Sequence, residues 1–286
     1  MRSFRLAFAL TRARLPRDPA FRLGLLFVGV ALLAALLAPL LAPRNPLVGD
    51  LKHDYLTAPG ASFVLGADTQ GRDILSRVMY GARLSLAVGV ISQVVAVLLG
   101  VSLGLMAGFH GRWVDAVIMR LADVTLAFPT LLLLIAVSAA VRPPYPVIFV
   151  LIGAVGWAGM ARLVRSQVLV LRSAEYVTAA RALGARDGRI LWRHLLPNVR
   201  AQIIVAATLG MAGAIMAEAA LSFVGLGAQP PTPSWGAMVA EGRDLLRVAP
   251  WVSLAPGIAI GITVLGFNLV GDGLREAWDP KLRPRS

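Results

Sequence analysis

Long apolar runs dominate the chain, and segments rich in arginine, glycine or proline separate them. The runs occupy residues 23–42, 84–109, 124–141, 143–161, 201–223 and 248–271, and Glu218 is the one charged residue inside them. An α-helix crosses the hydrocarbon layer of a bilayer with about 20 apolar residues, whereas a lone strand would leave its backbone groups without hydrogen bonds there. The pattern predicts an all-α polytopic membrane protein with six transmembrane helices.

Composition supports the interpretation as a membrane protein and offers few residues for catalysis or metal binding. Of the 286 residues 57% are hydrophobic and only 15% are charged, with a mean hydropathy of +0.73, well beyond the averages for soluble domains. Cysteine is absent, and His53, His110 and His194 fall in separate loops. No GxxxxGK[ST] phosphate loop occurs. We therefore expect no catalytic residue, no metal ligand and no cofactor in this chain.

The net charge of +13 follows from where the basic residues lie. Residues 1–22, 112–120, 162–200 and 275–285 hold most of the 28 Lys and Arg, and six crossings place these segments on one side. Because basic segments stay inside, both termini are expected in the cytoplasm. Arginines flanking the spans would meet anionic lipid headgroups, so membrane lipid, and not nucleic acid, is the expected partner of this charge.

Few polar groups lie at membrane depth. Glu218 and Asn268 are candidates to line a pathway, since intramembrane ionisable groups are rare and functional. The alternative for Glu218 is a helix end bonded to Ser222, and for Asn268 and Gln93 a hydrogen bond between helices.

Small residues recur at four-residue spacing in several spans, which allows close helix approach in lipid. The spacing predicts packing faces at Gly100, Gly104 and Gly108, and again at Gly257 and Gly261.

Two loops on the expected outer side, residues 66–72 and 229–235, are rich in glycine or proline. Asp73 is predicted to cap a helix that begins near Ile74. Trp235 and Trp251 suit anchoring at the membrane interface.

The loop of residues 162–200 carries the strongest functional signal. Its sequence predicts two short helices, 176–183 and 187–195, joined at Gly184 and ended by Pro197. Exposed apolar residues in a basic loop indicate a protein contact. The small apolar tip consists of Ala179, Ala180, Leu183 and Ala185. The alternative is an amphipathic helix lying on lipid headgroups.

Within that loop, EYVTAARALGARDGRILWRHLLPN at residues 175–198 resembles the EAA-type coupling motif of permease subunits of ABC importers. Thr178 stands where the pattern has its first Glu, so an ion pair made by that Glu does not carry over. LGADTQGRDILSRVMYGARLSL at 65–86 and AEAALSFVGLGAQPPTPSWGAM at 217–238 resemble signatures of the dipeptide/oligopeptide/nickel branch, in its second permease type. The resemblance covers nearly the whole chain.

The resemblance implies a type I ABC importer transmembrane domain in a bacterial or archaeal inner membrane. Residues 1–83 would hold the N-terminus, the first span and an external segment, residues 84–273 the five-helix core, and residues 274–286 a cytoplasmic tail. The implied partners are a homologous permease subunit, two ABC ATPase subunits that hold ATP and Mg, and an extracytoplasmic substrate-binding protein. The implied ATPase-coupling residues are Glu175, Tyr176, Thr178, Ala179, Ala180, Arg181, Leu183, Gly184, Ala185, Ile190 and Pro197.

Other classes of membrane protein remain open on the sequence. A secondary transporter or channel would act without an ATPase and would not need the projecting loop. A membrane assembly scaffold would share the topology but line no path.

Overall fold

The computed structural model describes residues 18–278, and the basic residues expected at the two termini, 1–17 and 279–286, lie outside this range. Within it, the helices are α1 (Pro19–Leu41), α2 (Ile74–His110), α3 (Arg112–Ala127), α4 (Thr130–Val141), α5 (Tyr145–Leu171), α6 (Glu175–Ala182), α7 (Asp187–Ile190), α8 (Leu196–Phe223), α9 (Trp235–Glu241) and α10 (Trp251–Trp278). The described part of the chain has no β-strand beyond an isolated bridge between Ala67 and Asp73, so the all-α prediction is confirmed.

Five of these helical segments are long and apolar enough to cross a membrane. The third predicted crossing, residues 124–141, is not one straight helix: α3 and α4 meet at 88° at Phe128 and Pro129. The described residues therefore hold five candidate crossings, or six if this bent pair is counted as one broken crossing. A proline disfavours helical conformation in the residue before it and removes a backbone donor, so Pro129 already indicates a kink within this apolar run.

The second crossing begins earlier than its apolar run. Asp73 caps α2 by accepting a hydrogen bond from the Ser76 N–H at 2.7 Å, as predicted. The helix then continues through Arg77 and Arg83, so the expected boundary at residue 84 falls inside it. The apolar run marks only the part of the helix that is expected to face lipid. The helix itself extends further, because its backbone and side chains find hydrogen-bonding partners beyond that run.

Among the described residues, helices α2 and α5 make the most extensive helix contact, and the predicted glycine face lies in it. A Cβ atom at Gly104 would stand 2.6 Å from the Ala161 carbonyl oxygen, and one at Gly108 would stand 2.7 Å from Val168 Cβ. The backbones of α2 and α5 are therefore so close at these two positions that only the hydrogen atom of a glycine side chain fits between them. The prediction for Gly257 and Gly261 is wrong within the described chain, because nothing there lies within 4 Å of a Cβ at either position.

The bundle has two distinct ends. We call the end where α2 finishes and α6 lies the arginine-rich end, and the end formed by residues 43–73 and 224–250 the opposite end. A cluster of buried side chains fills each: Phe109, Val168, Val177, Ile190 and Leu195 belong to the first, and Ile74, Met238, Ala249 and Val252 to the second. Each cluster lies between the middle of the crossings and its own end of the bundle. Its side chains pack loops against helix ends.

Candidate functional site

The loop of residues 162–200 folds into a projection, as predicted. Helix α6 ends in a pair of bonds that reverse the chain: the Gly184 N–H donates to the Arg181 carbonyl at 2.9 Å and the Ala185 N–H to the Ala180 carbonyl at 3.0 Å. This arrangement needs a left-handed residue at its corner, and Gly184 has φ +81°. The glycine therefore sets the direction in which α7 leaves α6.

Buried side chains seat the projection on the bundle. Val177 from α6, Ile190 from α7 and Leu195 from the following turn are fully buried against the ends of α2 and α5. The Arg181 guanidinium lies 5.6 Å from the centre of the Phe109 ring, within range of a cation–π contact. Helix α6 is thereby in direct contact with the last turn of α2.

The outward side of the projection is apolar at its corner. Leu183 is 89% exposed, more than any other large apolar side chain of the described residues, and Tyr176 is 42% exposed. Of the predicted coupling residues, the structure exposes Glu175, Tyr176, Thr178, Ala179, Arg181, Leu183, Gly184 and Pro197, half-buries Ala180 and Ala185, and buries Ile190. The predicted set thus divides into an exposed face and a buried anchor.

The expectation that the second short helix stops at Pro197 is wrong. Helix α7 passes through a π-helical turn, Leu191–Leu195, straight into α8, whose first turn contains the proline. A proline ring clashes with the carbonyl four residues earlier in a regular α-helix. The wider π turn, closed by the Leu196 N–H donating to the Leu191 carbonyl, precedes Pro197 and lets the helix continue. Helix α7, the π turn and the fifth crossing are consequently one continuous helical element, residues 187–223.

Ion pairs hold α3 against α5 near the same end. Arg165 makes a two-pronged pair with Asp115, its second nitrogen lying 2.6 Å from Oδ2. Arg162 reaches Asp123 Oδ1 at 2.5 Å. The basic residues of the 162–200 loop were expected only to lie on the cytoplasmic side. In the structure, two of them also hold α3 against α5.

Glu218 lies in α8 and is fully buried within its own chain. Its Oε1 accepts hydrogen bonds from the Tyr145 hydroxyl at 2.7 Å and the Ser222 hydroxyl at 2.6 Å. The alternative of a bond to Ser222 is confirmed, with Tyr145 of α5 as a second donor. A role in lining the pathway stays a prediction.

Two other polar side chains in the spans are partly buried. Gln93 lies against the backbone of Gly210, where a Cβ would stand 2.3 Å from its Oε1, which supports a role in joining α2 to α8. Asn268 is half-buried in α10, and its pathway role also stays a prediction. Within residues 18–278, no three His, Asp or Glu side chains are placed to hold a metal ion.

The opposite end holds a feature that the sequence did not reveal. Asp68, Arg72, Arg77 and Glu241, which we call the ion cluster, form a connected set of salt bridges. Burial alone would raise the pKa of the Asp68 carboxyl, but the charge of Arg77, the backbone N–H groups of Arg72 and Gln70 and the charge of Arg72 hold it below its ordinary value. Asp68 is therefore ionised at neutral pH. Arg72 and Arg77, which lie within the 65–86 motif, could have indicated this cluster. Their partner Glu241, however, stands 169 positions after Arg72.

The prediction of an interfacial anchor is wrong for Trp235, which is buried, and stays a prediction for Trp251, which is half-buried. Trp235 is only 2% exposed, and its indole N–H donates to the Val78 carbonyl at 2.8 Å. The Trp251 indole donates to the Ala67 carbonyl at 3.2 Å. The Trp235 ring packs against α2 and α10, and the Trp251 ring lies against the loop at Gly66.

Comparison with known proteins agrees with this architecture. Residues 100–284 match the family described as binding-protein-dependent transport system inner membrane component. A dipeptide transport system permease protein of Alkalihalophilus pseudofirmus is 46% identical over 91% of this chain and 85% of its own length. A glutathione transport system permease protein of Pectobacterium atrosepticum is 44% identical, and an oligopeptide transport system permease protein of Bacillus subtilis is 40% identical, each over the same shares of the two chains.

These relatives favour a transport subunit over an independent carrier or channel, and they agree with the helices long enough to cross a bilayer. The protein is integral to the inner membrane and works together with other ABC transporter components. The chain therefore belongs to the binding-protein-dependent transport system inner membrane components, and it is a membrane-spanning permease subunit of an ATP-driven importer.

Proposed function

We propose that this permease imports peptides and that α6 is the element through which ATPase subunits drive it. The observation that carries the proposal is the projection itself, in which an exposed apolar corner at Leu183 sits on a fully buried anchor of Val177 and Ile190. A flexible or lipid-bound loop would not need such an anchor. Relatives whose names specify dipeptide, di/tripeptide and oligopeptide transport support the substrate class.

In the proposed assembly, this chain pairs with a homologous permease subunit, and each forms half of the pathway. Two ABC ATPase subunits bind ATP and Mg and contact the arginine-rich end, which lies in the cytoplasm with both termini. An extracytoplasmic substrate-binding protein delivers peptide at the opposite end. Closure of the ATPases would move α6, and with it the ends of α2 and α8, since Phe109 and Leu195 pack in one cluster with Val177.

Photocrosslinking tests the contact. A photoreactive amino acid in place of Leu183 should capture an ATPase subunit in native membranes. The matched control is the same substitution at Leu51, an exposed apolar residue (62%) of the opposite end, and this should capture no ATPase. Equal capture at both positions, or capture only at Leu51, would contradict the proposal.

The absence of cysteine makes orientation directly measurable. A single cysteine in place of Lys52 should react in intact cells with a maleimide that cannot cross membranes, and one in place of Leu183 should react only after the cells are opened. The reverse pattern would place the projection outside and remove the coupling role.

A further inference from the structure

The ion cluster joins three separate parts of the chain, and import as described so far does not use it. Asp68 and Arg72 belong to the loop of residues 65–73, Arg77 to the first turn of α2, and Glu241 is the last residue of α9. The side chains of Arg72 and Arg77 are 2% and 1% exposed. Two buried guanidinium groups are thus balanced by the buried Asp68 carboxylate and by the Glu241 carboxylate, whose side chain is 23% exposed.

The geometry of the contacts is specific. Arg77 donates to Glu241 Oε2 at 2.8 Å and to Oε1 at 3.2 Å through its two terminal nitrogens, and it also donates to Asp68. Arg72 donates to Asp68 at 2.7 Å and to Glu241 at 3.3 Å. Such two-pronged pairs fix orientation as well as distance. The loop, α2 and α9 therefore have one defined arrangement.

Stability alone is a weak explanation for this arrangement. Burying ion pairs removes charges from water, and apolar side chains of similar volume often stabilise a protein as well or better. What the cluster adds is a directional connection between segments far apart in the sequence. The same segments also make apolar contacts, since Ile74 packs in one cluster with Met238.

Helix α2 connects the ion cluster to the projection. It runs without a break for 37 residues. At its far end the Gly108 carbonyl accepts a hydrogen bond from Arg172 at 3.1 Å, and Phe109 contacts Arg181. A displacement of α6 therefore reaches one end of a continuous helix whose other end carries the ion cluster.

We propose that Arg77 and Glu241 are positioning residues that hold α9 and the loop of residues 65–73 to α2, so that all three move as one unit when ATP drives the importer. The proposal rests on the coupling role proposed for α6. Without these salt bridges, α9 would be joined to α2 only through Trp235 near its start and through apolar contacts, so the end of α9 and the loop of residues 65–73 would follow α2 less tightly.

Two variants separate this role from simple charge balance. Glu241→Gln leaves two buried guanidinium groups facing one carboxylate, and we expect it to reduce both folding and uptake. Arg77→Met combined with Glu241→Gln leaves the balanced Asp68–Arg72 pair and removes the salt bridges from Arg72 and Arg77 to α9. Asp244→Asn is the matched control, because Asp244 is an acid three residues farther along with an 82% exposed side chain, paired only with its neighbour Arg243 among the described residues.

The complete transporter in proteoliposomes gives the first readout. With a labelled dipeptide as probe, the double variant should assemble and hydrolyse ATP, but its uptake per ATP should fall about tenfold, within the range typical of coupling between distant sites. An unchanged ratio, equal to that of Asp244→Asn, would overturn the proposal. If the double variant does not assemble, Glu241→Asp, which keeps the charge but shortens the side chain, is judged by the same ratio.

A second readout does not depend on substrate. Spin labels on cysteines replacing Lys52 and Arg247 report the distance between the external loop and the segment after α9. We expect one narrow distance in wild type throughout, and in the double variant a narrow distance without nucleotide that broadens during ATP turnover. Broadening without nucleotide would indicate a merely structural role, and no broadening at all would also overturn the proposal.

Failure of the proposed function would look different. If the wild-type complex hydrolyses no ATP, the coupling function fails. If it hydrolyses ATP but takes up no dipeptide, the substrate class fails, and the distance measurement still tests the role of Arg77 and Glu241.

Discussion

The Tyr145 hydroxyl donates a hydrogen bond of 2.7 Å to Glu218 Oε1, and this bond joins the first residue of α5 to α8. Hydrogen bonds between membrane helices contribute about 0.6 kcal/mol on average and up to about 1.7 kcal/mol. We expect Tyr145→Phe to lower the free energy of unfolding by an amount in this range, measured by denaturant titration in detergent. Tyr80→Phe is the control, because the Tyr80 hydroxyl makes no hydrogen bond among residues 18–278. An equal loss in both variants would mean that the bond contributes nothing specific.

Gly184 should be intolerant of any side chain although there is room for one. A Cβ there meets nothing within 4 Å, but φ is +81°, where an L-residue costs about 1 kcal/mol or more. Gly184→Ala should therefore redirect α7 and abolish peptide-stimulated ATP hydrolysis by the assembled transporter. Gly188→Ala, also with open space but without a positive φ, should retain it. Normal stimulation in Gly184→Ala would contradict the role of this corner.

Gly104 tests the contact between α2 and α5. A methyl group would stand 2.6 Å from the Ala161 carbonyl oxygen and 2.8 Å from Val164 Cβ, so the helices must separate. Overpacking of this kind typically costs about 1–3 kcal/mol. Gly104→Ala should lower the thermal stability of the purified chain accordingly, whereas Gly159→Ala, where nothing lies within 4 Å, should not. Comparable melting of the two variants would show that the helices separate easily.

The opposite end should respond to acid through Asp68. Its folded-state pKa lies below its ordinary value of 3.8, so the stability from its ionised form is complete above that pH and is lost as the pH falls below it. The melting temperature of the wild type should therefore show no contribution from Asp68 titration between about pH 7 and about pH 5, and should fall below about pH 4.

Asp68→Asn is the control for that titration. It should melt at a lower temperature than wild type near neutral pH, and the difference should shrink as the medium becomes more acidic. A difference that stays constant down to the lowest pH would assign the acid sensitivity to other carboxyls.

Local chemistry made much of the fold and projection predictable. Asp73 precedes a helix with the side chain that caps it, Gly184 follows a helix where a left-handed residue is needed, and Gly104 lies in a repeat that permits close helix contact. In each case the residue type and its immediate neighbours determine the geometry.

The features that could not be predicted depend on distant residues or on competition between local rules. The ion cluster pairs residues that stand far apart in the chain, and the burial of Trp235 depends on α2 supplying an acceptor at Val78. Pro197 was expected to end a helix. The wider π turn before it instead accommodates the proline ring without a clash against the carbonyl four residues earlier. Hydropathy alone also could not show that residues 124–141 contain a corner.

That corner has a consequence for what surrounds it. The last carbonyls of α3 and the first N–H groups of α4 lie at a break where neither Phe128 nor Pro129 supplies a capping side chain. Helix ends leave such groups unsatisfied, and hydrocarbon offers them no partner. If α3 and α4 cross the bilayer together, the elbow at Phe128 and Pro129 must therefore be in contact with water or with another polypeptide, because bare lipid tails would leave these groups without partners.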